Sequence, residues 1–110
     1  MKTEELKALL SGGVPSKIDF VQLTFDEFVN PRFKRENIKG VVNIENKTII
    51  EYGEAELPLK STELLDMLTN CEDNEVGVMV EVDGKKVFRG VDEVLYIGGL
   101  YMGQIIIKIK

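Results

Sequence analysis

Apolar side chains recur at two distinct periods along this chain, and the period changes where glycine, proline or a polar cluster interrupts it. Near the start, Leu6, Leu9 and Leu10 share one face at helical spacing. Thr3 can cap this helix, with Glu4 and Glu5 in the first turn, where the helix dipole favours negative charge. Gly12 and Gly13 end it and Pro15 prevents its resumption. "SKIDFVQLT" then alternates as a strand, with Ile18, Phe20 and Gln22 on one side and Val21 and Leu23 on the other. Thr24 and Glu27 have the spacing of a capping box, which predicts a short helix ending before Pro31. "PRFKRENIK", stopped by Gly40, is read as a second short helix.

"GVVNIENKTIIEYG" reads as a hairpin with its turn near Glu45-Asn46-Lys47. Pro58 makes the following "EAELPLK" a sheet edge or a connection. Ser61 or Thr62 can cap a helix whose apolar face holds Leu64, Leu65, Leu68 and Cys71, with Glu63, Asp66 and Asn70 off it. In "VGVMVEVDGKKVFRGV", Asp83-Gly84 is a preferred two-residue hairpin turn, because both positions need positive φ. That turn pairs Glu81 with Lys86, Val80 with Val87, Met79 with Phe88 and Gly77 with Gly90, so that charge meets opposite charge and apolar meets apolar. A three-residue loop with a bulge would set Glu81 opposite Lys85 instead. "DEVLYIGG" is a further strand and "LYMG" a loop. In the final "QIIIKIK", Ile105, Ile107 and Ile109 share one face, while Gln104, Ile106, Lys108 and Lys110 share the other. This is the pattern of a half-buried strand with its lysines toward solvent, not of a membrane tail.

The expected architecture is therefore α+β: one domain over residues 1–110, with two main helices packed on a mainly antiparallel sheet of about five to seven strands. The chain's 110 residues, 44% hydrophobic and 30% charged, fit such a domain. The net charge of -5 makes the molecule repel nucleic acid and anionic membranes at long range. The single cysteine, Cys71, allows no intramolecular disulfide. Acids interrupt the short apolar run of "MKTEELKALLSGG", and no stretch approaches ~18 consecutive apolar residues. A cytoplasmic protein without a membrane partner is expected, and the sequon at Asn46-Lys47-Thr48 is a chance match.

Candidate chemistry is sparse. The chain has no histidine, which removes the commonest general base, the Ser-His and Cys-His pairs and histidine metal sites. Of the three serines, Ser11, Ser16 and Ser61, the last is most simply a helix cap. Cys71 lies on an apolar helix face, and Glu72 and Asp73 beside it oppose a reactive thiolate. The acids of "CEDNE" and "EYGEAE" lack calcium-loop spacing and read as a solvated turn and the wet face of a strand. "GGLYMG" precedes a strand rather than a helix, so its glycines serve a turn and not a phosphate. No cofactor or metal is expected.

One stretch stands against the overall charge. "NPRFKREN" gathers Arg32, Lys34 and Arg35 around Phe33, with Lys39 just beyond. These five residues form the candidate partner-binding surface, since arginine and aromatic side chains are enriched at interface hot spots. The simpler reading is a solvated basic segment balancing nearby acids. It matches no nucleic-acid motif.

The second half carries "TELLDML", "CEDNE", "VGVMVEVDGKKVF", "DEVLYI" and "IIIKIK" in order. This succession resembles small phage- and prophage-encoded proteins of unknown function. The resemblance implies an α+β fold and a viral or mobile-element source, and it brings no activity with it. The expected function is a small acidic binding module or inhibitor, not an enzyme, acting through protein–protein contacts. The alternative is a structural or assembly protein that works as a homo-oligomer.

Overall fold

A computed structural model describes residues 1–12, 18–26, 34–54, 56–98 and 102–110. Its elements are α1 (Thr3–Ser11), β1 (Ile18–Thr24), β2 (Glu36–Ile44), β3 (Lys47–Gly53), β4 (Leu59–Lys60), α2 (Ser61–Thr69), β5 (Glu75–Val82), β6 (Lys85–Ile97) and β7 (Met102–Ile109).

Two hairpins form where the turn residues demand them. Glu45, at φ 56°, opens the turn between β2 and β3. Asp83 and Gly84, at φ 51° and 77°, make the two-residue turn between β5 and β6. The register there joins Glu81 to Lys86, Val80 to Val87, Met79 to Phe88 and Gly77 to Gly90, as the two-residue turn requires and the bulged loop does not.

The strands form one seven-stranded mixed sheet in the order β2-β3-β5-β6-β7-β1-β4. β2 also pairs with β1 through Gln22–Asn37 and Leu23–Glu36, so β1, β2, β3, β5, β6 and β7 close into a ring. Two of its contacts are parallel: β1 with β7, and β3 with β5. The inward residues of the strands meet the helices in one core. Leu6 and Leu10 of α1 and Leu64 and Leu68 of α2 pack there with Val21, Leu23, Ile38, Ile50, Val76, Val78, Val91, Ile105, Ile107 and Ile109. Burying each such side chain stabilises by roughly 1.5–3 kcal/mol.

Polar contacts fix the helix ends. Glu4 N–H donates to Asp73 Oδ1 at 3.1 Å, so an acid of the α2–β5 turn caps α1 from a distance. Thr3 is not the cap but the first helical residue. It is fully buried, its hydroxyl donating to the Asn74 carbonyl at 3.0 Å and lying 3.2 Å from Thr48 Oγ1. Lys60 rather than Ser61 stands at the N-cap of α2, and its N–H donates to Glu63 Oε1 at 3.0 Å. The Tyr96 hydroxyl of β6 donates to the Leu9 carbonyl near the end of α1.

The observed architecture corrects the α+β expectation. Among the described residues the chain is predominantly β, the sheet is mixed rather than mainly antiparallel, and the two helices are only 9 residues each. Two misread segments account for part of this. "ENIK" continues β2 instead of a helix, because Ile38 is pinned into the core opposite Tyr52. "KKVFRG" and "DEVLYI" are one strand of 13 residues, not two. β7 is also more deeply placed than its lysines suggest: it lies between β6 and β1, and Ile106, on the face turned from the core, is 0% exposed. Lys108 is held there by Asp92 at 2.9 Å. Of the short helix expected after Thr24, Phe25 and Asp26 are not helical and residues 27–30 lie outside the described residues. Of the "LYMG" loop, Leu100 and Tyr101 lie outside them, while Met102 and Gly103 already belong to β7.

Candidate functional site

Of the basic stretch, Arg32 and Phe33 lie outside the described residues. Lys34 and Arg35 immediately precede β2. The Lys34 backbone is held at both ends: its N–H donates to Asp26 Oδ2 at 2.9 Å, and its carbonyl accepts from Thr24 Oγ1 at 2.8 Å. Its ammonium is 3.3 Å from Glu36 Oε1 and is largely solvated. Arg35 is part of the sheet's packing, because its Nη1 donates to Gln104 Oε1 at 2.7 Å, reaching past β1 to β7. Lys39 is exposed at the irregularity between Ile38 and Gly40, where the β2–β3 register shifts. The three described cations are therefore not one surface of a helix. One braces the sheet, one pairs locally, and one stands on a bulge.

A different feature concentrates exposed apolar surface. The parallel ladder between β3 and β5 consists of Lys47–Glu75, Thr48–Val76 and Ile49–Gly77. Beyond those pairs the strands part, and no ladder pair joins Ile50–Gly53 to Val78–Val82. Each strand keeps its antiparallel partner on the other side: β2 for β3, β6 for β5. The gap opens into a trough of about 460 Å³. Its walls include Val42 and Ile44 of β2, Ile49 and Tyr52 of β3, and Met79 and Val80 of β5. Ile44 is 53% exposed. Glu51, Glu81 and Lys86 supply the charge of the walls.

The outer face beside the trough is locked. Phe88 packs over Gly77, and the Lys47 ammonium lies 4.3 Å from the Phe88 ring centroid, a cation–π contact. Past Gly77 the β5–β6 hairpin continues as a ribbon. β7 contacts β6 only from Val91 onward, save for a Lys110 N–H bond to the Gly90 carbonyl. Val82 and Val87 are exposed on this ribbon.

The remaining candidates occupy structural positions. Cys71 is half-buried just after α2, within 3.6 Å of Asn43 Nδ2 and of the Met67 carbonyl. Asp73 caps α1. Among the described residues no group of three or more histidine, cysteine, aspartate or glutamate side chains is placed to hold a metal ion. No described helix is long and apolar enough to cross a membrane. Tyr96 has its pKa raised above 10.0, first by burial and then by the charge of Asp19.

Sequence reasoning missed the trough because its two walls are joined by a parallel contact between strands distant in the chain. The sequence reading placed Val42 and Ile44 in a hairpin and paired Met79 with Phe88. It carried no sign that β3 and β5 are neighbours, nor that they part. No protein-family model matches the chain, and neither a curated protein nor a solved structure matches it.

Proposed function

We propose that this protein is a non-enzymatic binding module or inhibitor that acts through protein–protein contacts, with the trough between β3 and β5 as its contact surface. The observation that carries this reading is the pair of exposed apolar side chains Val42 and Ile44 in that trough's wall, beside the half-buried Met79 and over the buried Ile49. Exposed apolar surface with a charged margin is a common mark of an interaction site. Val82 and Val87 are exposed on the adjoining ribbon, on the face of Val80 rather than that of Met79. Lys34 and Lys39, solvated on the β2 side, are available to an acidic partner and can speed its encounter. The phage or prophage source and the cytoplasmic location belong to the same reading and rest on the sequence pattern alone.

The test compares the protein with its Val42→Lys, Ile44→Lys double variant. Both sites are exposed, so the variant keeps the parent's melting temperature. From host lysate the parent captures one stoichiometric partner and the variant loses it. Equal capture by both proteins places the contact elsewhere. A defined homo-oligomer in light scattering, dissolved by the same double change, supports the assembly protein instead.

A further inference from the structure

The trough is walled by backbone as well as by side chains, and this deepens the reading above, on which it rests. An interior strand uses its N–H and C=O groups on both edges. Ile50–Gly53 of β3 and Val78–Val82 of β5 pair on one edge only, with β2 and β6, and their other edges face each other across the gap. Backbone donors and acceptors are obligatory hydrogen-bonding groups, and an open strand edge is a template for another strand. A helix satisfies its own backbone internally and has no groups to offer such an edge.

We infer that the trough binds an extended peptide segment of a partner protein by strand addition, the segment lying along the open edges of β3 and β5. Alternate side chains of an added strand point to opposite faces. Those on the outer face pass Met79, with Val42 and Ile49 at the closed end of the gap where the β3–β5 ladder stops, and these apolar walls select apolar residues. Glu51 and Glu81 stand in the same walls against the single cation Lys86. Glu51 bends back over β2, its Oε1 3.6 Å from the position a Cβ on Gly40 would take. Lys86 stands opposite Glu81 in the β5–β6 register, but neither acid forms an ion pair among the described residues. The segment therefore carries lysine or arginine where it passes these acids.

A random-peptide library displayed against the intact protein tests this. The recovered sequences alternate apolar residues with lysine or arginine. A synthetic copy of one slows amide exchange at Ile50–Gly53 and Val78–Val82 by about tenfold or more, and methylating its central backbone nitrogens weakens binding by about tenfold or more, since the added ladder supplies the affinity. In the Glu51→Lys, Glu81→Lys variant, selection turns from basic to acidic peptides. Recovered peptides with helical spacing, unchanged affinity after N-methylation, or protection mapped to another face would each overturn strand addition. So would an empty selection. If the partner of the preceding section is still captured through Val42 and Ile44, only the mode of binding fails; if that capture is also absent, the binding reading falls with it. Protection of the same amides by rising protein concentration alone would assign the trough to a second copy and overturn the partner peptide.

Discussion

The ring of Phe88 occupies the space that a side chain on Gly77 would need. A Cβ at Gly77 would stand 2.8 Å from Phe88 Cζ and 2.2 Å from the Arg89 carbonyl oxygen. Close approach of backbone and ring, rather than conformational freedom, thus fixes glycine at the last pair of the β3–β5 ladder. Gly77→Ala should lower stability by about 1–3 kcal/mol, because the backbone oxygen cannot yield as a side chain can. Thermal melting of the variant checks this, and an unchanged midpoint would place Phe88 elsewhere.

Gly84 poses the opposite case. Nothing lies within 4 Å of a Cβ built there, yet its φ is +77°. The penalty for substitution is therefore purely conformational. Gly84→Val should cost on the order of 1 kcal/mol or more, while Gly84→Asn should cost distinctly less, since asparagine tolerates the left-handed region. Denaturant midpoints of the two variants, compared at equal slope, separate strain from crowding.

Lys34 and Arg35 are adjacent cations with different duties. Arg35 donates to Gln104, so Arg35→Ala leaves a part-buried amide oxygen without its charged donor and should cost about 1 kcal/mol or more. Lys34→Glu changes a solvated pair with Glu36 and should stay within about 0.5 kcal/mol. Chemical unfolding of both single variants checks the contrast. Equal effects would mean that Arg35 does not brace β7.

Tyr96 gives the fold an alkaline limit. Its phenol must stay protonated to donate to the Leu9 carbonyl, and burial and Asp19 raise its pKa above 10.0. Above the unfolded value the denatured chain releases this proton more readily than the native one, so the contribution of half-exposed Tyr96 is full below pH 10 and is lost as pH rises through its native pKa. Tyr96→Phe should be less stable at neutral pH and should show a shallower loss above pH 10 than the parent. Parallel pH–stability curves for the two proteins would show that Tyr96 does not titrate differently on folding.

Local chemistry was legible in the sequence wherever it depended on near neighbours. Asp83-Gly84 fixed its hairpin register through the φ values its residues tolerate, and Glu81 meets Lys86 as the alternation required. Leu64 and Leu68 reached the core at helical spacing. What failed depended on distant strands. Ile38 joins a strand because Tyr52 and the core lie opposite, although the charged "PRFKREN" run before it invited a helix. Ile106 is buried on the outer face between Gln22 of β1 and Leu95 of β6, while its period-two pattern with lysines described a half-exposed strand. The trough is the extreme case, since it arises where a parallel contact between β3 and β5 stops.

Residue-resolved amide hydrogen exchange on the protein alone tests that geometry most directly. Ladder amides within Lys47–Ile49 and Glu75–Gly77 should exchange slowly, and the cleft-facing amides of Ile50–Gly53 and Val78–Val82, whose edges lack a strand partner, much faster. Uniformly slow exchange along both strands would contradict it, because β3 and β5 would then be paired throughout and the trough would not exist.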